Sequence, residues 1–230
     1  MKKLLSVLFL LFILVFSLSS QTSRKEIPVL TEENLEKAYE NMLGSAVRIQ
    51  GNGCYGSGSV FEIRKEEIII VTNRHVAEYF DEESHVTFFY GGECTGRVLG
   101  LSDTADIGFI SVDPEGLKEQ ERELLREVGK QKSAYEKLKK NSRFFIVDIA
   151  GDRNHPEIYK GAVVEKDKFL EEYGTEMLYG DGAAVPGMSG SGIFDYYGNY
   201  IGTLSGATDR YEIAGVPLTT VLTEYEHIVD

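Results

Sequence analysis

Short apolar runs alternate with turn residues over two long stretches of the chain, and a charged segment of different period separates them. In the first stretch the runs Ala46–Gln50, Ser57–Ile63, Ile68–Thr72, Val86–Tyr90, Gly96–Leu101 and Ile107–Val112 read as strands. In the second, Phe144–Ile149, Ile158–Val164, Glu176–Tyr179, Gly192–Phe194, Tyr200–Ser205 and Tyr211–Val216 do the same, with Asp195-Tyr-Tyr-Gly-Asn199 as a hairpin turn. Between them, Glu115–Lys140 carries charges of alternating sign, and Leu117, Leu124, Val128, Tyr135 and Leu138 recur at helical spacing. That pattern predicts one amphipathic helix, or two interrupted near Gly129, packed on its own protein. A further helix is predicted over Thr31–Leu43, with Thr31 as N-cap, Leu35, Ala38, Tyr39 and Met42 on one face, and Gly44 as terminator. A closing helix is predicted over Thr219–Ile228.

The N-terminus changes the picture of where the protein acts. Met-Lys-Lys precedes an almost unbroken apolar run, Leu4–Leu18, and then Ser19-Ser20-Gln21. Basic residues, a short apolar core and small residues afterwards predict a secretory signal peptide, cut after Ser19 or one or two residues later. The run is short for a membrane span. The alternative is an uncleaved anchor, and only then would the chain associate with a membrane. The resulting division is 1–19 signal peptide, 20–45 N-terminal segment with a helix, 46–113 first β unit, 114–142 helical insertion, and 143–230 second β unit with its closing helix. Aspartate and glutamate total 37 against 24 lysine and arginine, a net charge of −13. Such a charge argues against nucleic acid and anionic membrane as partners.

Candidate chemistry lies in Pro186-Gly-Met-Ser-Gly-Ser-Gly192. Ser189 sits among small residues that let another backbone approach, and Gly187 permits a twist that aims the N–H groups of Gly187 and Ser189 at one point. Upstream lie Gly56-Ser-Gly-Ser-Val-Phe61, Ile68-Ile-Ile-Val-Thr-Asn-Arg-His-Val-Ala77 and Ser102-Asp-Thr-Ala-Asp-Ile-Gly-Phe-Ile-Ser-Val112. A serine hydroxyl needs an adjacent base at neutral pH, and His75 ends an apolar strand where it can serve. His85, His155 and His227 lack comparable context. A carboxylate is needed to orient the imidazole. Asp106, just before an apolar run, is preferred to Asp103.

These four segments, in this order, resemble the trypsin-like serine proteases, closest to the bacterial branch of HtrA-type proteases and glutamyl endopeptidases. The resemblance runs from about Gly51 to about Val216, with 31 residues from His75 to Asp106 and 83 from Asp106 to Ser189. It implies an all-β fold of two six-stranded antiparallel β-barrels of the chymotrypsin type, with N-terminal, inter-barrel and C-terminal helices. It also implies a Ser189–His75–Asp106 triad, an oxyanion hole from the Gly187 and Ser189 N–H groups, and a protein or peptide substrate. No cofactor or metal is expected: two cysteines without clustered histidines do not make a zinc site.

The chain departs from the pattern at identifiable positions. Animal digestive members carry Asp before the nucleophile, paired with a new N-terminus; here Met188 stands there, so activity is expected not to need such cleavage. Ser191 follows as in glutamyl endopeptidases, and Gly192 stands where many relatives have proline. The C-terminal PDZ domains common in HtrA-type proteins are not expected. By resemblance, Ala183, Ala184, Val185 and Thr203, Leu204, Ser205, Gly206, Ala207 line the primary specificity pocket. None is charged, and Leu204 replaces the histidine with which glutamyl endopeptidases receive a carboxylate. Cleavage after Ala, Val or Leu is the expectation, because a desolvated carboxylate without a partner is costly. In an exported chain two cysteines favour a Cys54–Cys94 disulfide of about 3–4 kcal/mol, unless strand geometry forbids it. A catalytically silent peptide-binding protein on the same fold and an esterase are the alternative functions. The sequence is silent on oligomeric state.

Overall fold

The computed structural model describes residues 32–51, 53–149 and 156–229. The predicted signal segment, the Thr31 cap and His155 lie outside them. Helix α1 (Glu32–Ser45) continues through Gly44, which the sequence reading took as its end. The glycine serves close approach instead: a Cβ there would come within 2.8 Å of Leu124 O, and Gly44 O accepts from Arg126 N at 3.0 Å.

Seven strands form the first lobe: β1 (Ala46–Gly51), β2 (Cys54–Ile63), β3 (Ile68–Thr72), β4 (His85–Phe88), β5 (Glu93–Cys94), β6 (Gly96–Leu101) and β7 (Gly108–Val112). They make one antiparallel sheet in the order β5-β4-β1-β2-β3-β7-β6. It is a half-barrel, where the sequence suggested a closed barrel of six. The extra strand, β5, has two residues, too few for any periodicity to reveal. Its edge is covered by the turn Pro114–Gly116, where a Cβ on Gly116 would lie 2.5 Å from Glu93 O, so the sheet need not close to protect that edge. Strand β3 is apolar from Ile68 to Val71 because both faces are buried. Ile68 and Ile70 pack inside the lobe with Val47, Ile49 and Val60, while Ile69 and Val71 face the second core with Phe61 and Phe109.

The Cys54–Cys94 disulfide is not formed, and Cys94 is a free, buried thiol. Cys94 pairs across β4 with Val86, which pairs with Ile49 of β1, which pairs with Gly56 of β2. Cys54 is therefore three strand spacings away, about 14 Å along the sheet, where a bridge needs Cα atoms within about 7 Å. Burial pushes the Cys94 thiol up to about 11, which makes it inert at neutral pH.

The charged segment forms two short helices, α3 (Glu119–Leu124) and α4 (Lys132–Glu136), joined by an extended run. Tertiary contacts override helical propensity there: Arg126 and Val128 donate backbone hydrogen bonds to Gly44 and Val60. Leu125 rather than Leu124 is buried, together with Val128 and Tyr135, and the segment packs on its own protein.

The second lobe is a closed antiparallel barrel, β10-β13-β12-β11-β8-β9. Its strands are β8 (Arg143–Asp148), β9 (Glu157–Leu170), β10 (Thr175–Asp181), β11 (Gly192–Asp195), β12 (Tyr200–Ala207) and β13 (Glu212–Pro217). The Phe144 ring fills its interior: Cβ atoms on Gly161 and Gly180 would come within 2.2 and 2.6 Å of it. Helix α5 (Leu218–Ile228) then returns to the first lobe. Tyr225 inserts its ring near Phe61 (4.6 Å) and Phe109 (5.2 Å), and its hydroxyl meets Arg64 and Glu62. This clasp holds the two lobes, and the residues each contributes to the cleft, in one arrangement. Among the described residues no helix is long and apolar enough to cross a membrane.

Candidate active site

Strand β3 ends at Thr72, Asn73 follows, and the chain then makes one helical turn, α2 (Arg74–Ala77), which carries His75. Both residues before that turn are buried and hydrogen-bonded. Thr72 Oγ1 donates to Ser57 O at 2.6 Å, and Asn73 Nδ2 donates to Asp106 O at 3.0 Å and Ser205 Oγ at 3.1 Å. Asp106 stands at the apex of a loop ahead of β7, a loop folded back on Ser102: the N–H groups of Thr104 and Ala105 donate to Ser102 Oγ, and Ser102 N donates to Ile107 O. Thr104 Oγ1 also donates to Glu224 of α5 at 2.8 Å.

These restraints bring His75 and Asp106 together. His75 Nδ1 lies 3.0 Å from both carboxylate oxygens, and the His75 backbone N–H donates to Asp106 Oδ1 at 3.2 Å. Asp103, the competing acid, instead meets Arg74 in an exposed pair. A carboxylate only accepts, so the neutral imidazole carries its proton on Nδ1 and keeps its lone pair on Nε2. The hydrogen bond to Asp106 raises the His75 pKa above its ordinary 6.5 against the opposing effect of burial. Burial pushes the Asp106 carboxyl up, yet the hydrogen bonds and charge of His75, with Ser205, outweigh it and hold the group below the usual carboxylate range.

Ser189 sits on the second lobe and shares the walls of one cavity with His75. Its loop is stitched to both lobes. Ser57 N donates to Ser189 O at 2.8 Å and Ser57 Oγ to Gly187 O at 2.8 Å; Gly190 N donates to Leu204 O, and Leu204 N to Ser191 O, each at 2.8 Å. Val185–Met188 is a β-turn closed by Met188 N on Val185 O at 3.1 Å, with Pro186 second and Gly187 third at φ +95°. Proline then a positive-φ glycine is the type II arrangement. It leaves the Gly187 N–H outside the turn's own hydrogen bond. Among the described residues no protein acceptor takes the N–H of Gly187 or Ser189, which leaves both free for a ligand oxygen. Met188 is fully buried in the apolar core.

The pocket residues divide. Ala183 and Ala184 are half-buried and Val185 is exposed. The Thr203 and Leu204 side chains are buried: Leu204 packs in the core and Thr203 meets the Tyr200 hydroxyl. Ser205 is engaged by Asn73 and Asp106.

Sequence reasoning missed four contributors. Ser57, Thr72 and Asn73 all lie in the Gly-Ser-Gly and Thr-Asn-x-His segments, so the signal was present but no role was read. The fourth, Tyr173, tips the β9–β10 hairpin, whose first strand runs six residues beyond the predicted end at Val164. It lines a hollow with His75 and Asp106, and its hydroxyl lies where a Cβ on Gly206 would come within 2.5 Å. No local pattern signals that contact. Of the remaining histidines, His85 pairs with Glu93 at 3.6 Å and His227 lies on α5, both away from this site. Among the described residues no cluster of His, Cys, Asp and Glu could hold a metal ion.

A family model described as trypsin-like peptidase domain matches residues 56–202. No curated protein matches the chain. Among solved structures the chain is similar to an HtrA-type protease, AlgW, with a tripeptide: TM-score 0.71, 17% identity, 85% of this chain and 64% of that one. It is also similar to Deg5, with TM-score 0.67, 21% identity, 87% of this chain and 97% of that one. The chain thus spans about two thirds of the first of these, and at such identities the likeness speaks for the fold.

Proposed function

The chain belongs to the trypsin-like peptidase domain family, and from that premise we propose that it is a serine endopeptidase whose triad is Ser189, His75 and Asp106. The observation that carries the reading is the 3.0 Å hydrogen bonding between His75 Nδ1 and the Asp106 carboxylate, with Ser189 on the same cavity as His75. Ser189 Oγ attacks the scissile carbonyl while His75 Nε2 takes its proton. The imidazolium that forms is stabilised by Asp106 and gives the proton to the leaving amine. The N–H groups of Gly187 and Ser189 receive the oxyanion, an interaction of about 3 kcal/mol per donor. Water then repeats the sequence on the acyl-enzyme. Treatment with a biotinylated fluorophosphonate is expected to give one stoichiometric adduct, on Ser189, absent in Ser189→Ala. A folded protein that takes no adduct would return the chain to the peptide-binding alternative.

The protonation states set the pH dependence. Because the His75 pKa is raised, the stabilisation from its imidazolium beside Asp106 is full below 6.5 and fades as pH rises through the folded value. The neutral base is needed for attack, so kcat/KM moves the other way. It is expected to rise with pH through an apparent pKa above 6.5, and a limb at or below that value would remove Asp106 from the role assigned to it.

The substrate residue before the scissile bond is proposed to be small or medium and apolar, since Ala183, Ala184 and Val185 offer no charge to pair with. A peptide library cut mainly after Glu or Arg would refute this. Residues 1–19 are proposed to direct export, which the N-terminal sequence of the protein released by its cells would test.

A further inference from the structure

Glu224 carries a carboxylate that neither the triad nor the Tyr225 clasp uses. It stands on α5 and is 9% exposed, while the other residues that α5 buries, Leu218, Val221 and Tyr225, are apolar or aromatic. A carboxylate so placed is costly unless it is hydrogen-bonded. Its partner among the described residues is a hydroxyl: Thr104 Oγ1 donates to Glu224 Oε1 at 2.8 Å. Tyr225, against Phe61 and Phe109, already docks the helix, so α5 does not depend on this bond to stay in place.

Thr104 is two residues from Asp106, in the loop that closes on Ser102. The helix meets the approach to that loop a second time. Ile228, one turn after Glu224, lies against Gly100, where a Cβ would come within 2.5 Å of Ile228 Cγ2. At its other end α5 continues directly from β13, which pairs with β12. Strand β12 in turn holds the Ser189 loop, through Gly190 N on Leu204 O and Leu204 N on Ser191 O, each at 2.8 Å. Glu224 thus joins the lobe of the nucleophile to the loop of the acid.

We infer that Glu224 is a positioning residue that, by holding Thr104, keeps Asp106 and the His75 bonded to it in register with Ser189; the role rests on the endopeptidase reading. Ser205 of β12 engages the Asp106 carboxylate directly, whereas the Thr104 bond restrains the backbone that presents it. A loop released at Thr104 lets the carboxylate drift from His75 Nδ1, and small misplacements of a catalytic group cost rate steeply.

Four variants of the full chain test this: Glu224→Gln, which keeps an acceptor oxygen, Glu224→Leu, which does not, Thr104→Val, at an exposed position, and the last two combined. The measurements are turnover of N-acetyl-alanine p-nitrophenyl ester, thermal melts and the far-downfield proton resonance of His75 Nδ1–H. Glu224→Leu and Thr104→Val are each expected to lower kcat about tenfold with KM within about twofold, and to move the resonance upfield. The combined variant is expected to lose no more than either alone, because both cut one link. Glu224→Gln is expected to keep kcat within about twofold and to leave the resonance in place. Unchanged kcat and resonance in folded Thr104→Val would overturn the role, as would multiplied losses in the combined variant or an equal loss in Glu224→Gln. A lowered melt with kcat and resonance unchanged would make Glu224 structural only. A wild type with no ester turnover that depends on Ser189 would overturn the endopeptidase reading instead. The resonance then decides the positioning by itself: it stands if Thr104→Val moves the signal and falls if the signal stays.

Discussion

Asp106→Asn is expected to lower kcat by about 10⁴-fold while leaving the fold intact. The substitution is nearly isosteric, and the loop that carries residue 106 is held by backbone bonds to Ser102 and Asn73 that an amide does not disturb. What changes is the proton inventory. An amide nitrogen facing His75 Nδ1 donates, so the imidazole places its own proton on Nε2, where Ser189 needs a lone pair. The imidazolium also loses its adjacent anion, and with it the main cause that lifts the His75 pKa. Two readouts check this: steady-state turnover of an ester and a peptide, and a thermal melt. A variant that keeps a tenth of wild-type turnover would show that Asp106 does not orient the base. A collapsed melting temperature would show that its role is structural.

Gly190→Ala is expected to cost about 3 kcal/mol or more in stability and at least a hundredfold in activity. At φ +91° an alanine loses roughly 1–2 kcal/mol from backbone conformation alone. Its Cβ would also fall 2.0 Å from Ser57 O and 2.3 Å from Thr72 Oγ1, two atoms already joined by a buried hydrogen bond. The nearest relief is to push the Ser189 loop off β2, which breaks the Ser57 N–Ser189 O bond and moves the nucleophile. Gly174→Ala is the matched control. Gly174 has φ +67° but no atom within 4 Å of the added Cβ, so only the conformational cost applies. Chemical denaturation of both variants measures the difference, and equal losses would refute the steric argument.

These two residues were legible in different degrees. Asp106 could be picked from the sequence because an acid opening an apolar strand after Thr-Asn-x-His is a local pattern, and its advantage over Asp103 was readable from that strand. Gly190 was legible only as a small residue near a serine. Its need for glycine comes from Ser57 and Thr72, more than a hundred positions earlier in the chain. The burial of Thr203 and Leu204 was illegible for a related reason: which neighbours their side chains meet depends on a core assembled from distant positions. The disulfide failed likewise: two cysteines in one lobe say nothing of the three strand spacings between them.

The sequence by itself determined what is local: the β runs with period two, the closing helix, the acidic charge, and the order His75, Asp106, Ser189. Such features follow from backbone geometry and burial pattern within windows of a few residues. Tertiary structure alone decided the open first sheet, the broken helix between the lobes, the free Cys94, the Tyr173 contact at Gly206 and the cavity beside Ser189. Each depends on atoms brought together from distant positions, where close packing and paired hydrogen bonds outweigh the local propensity of any one segment.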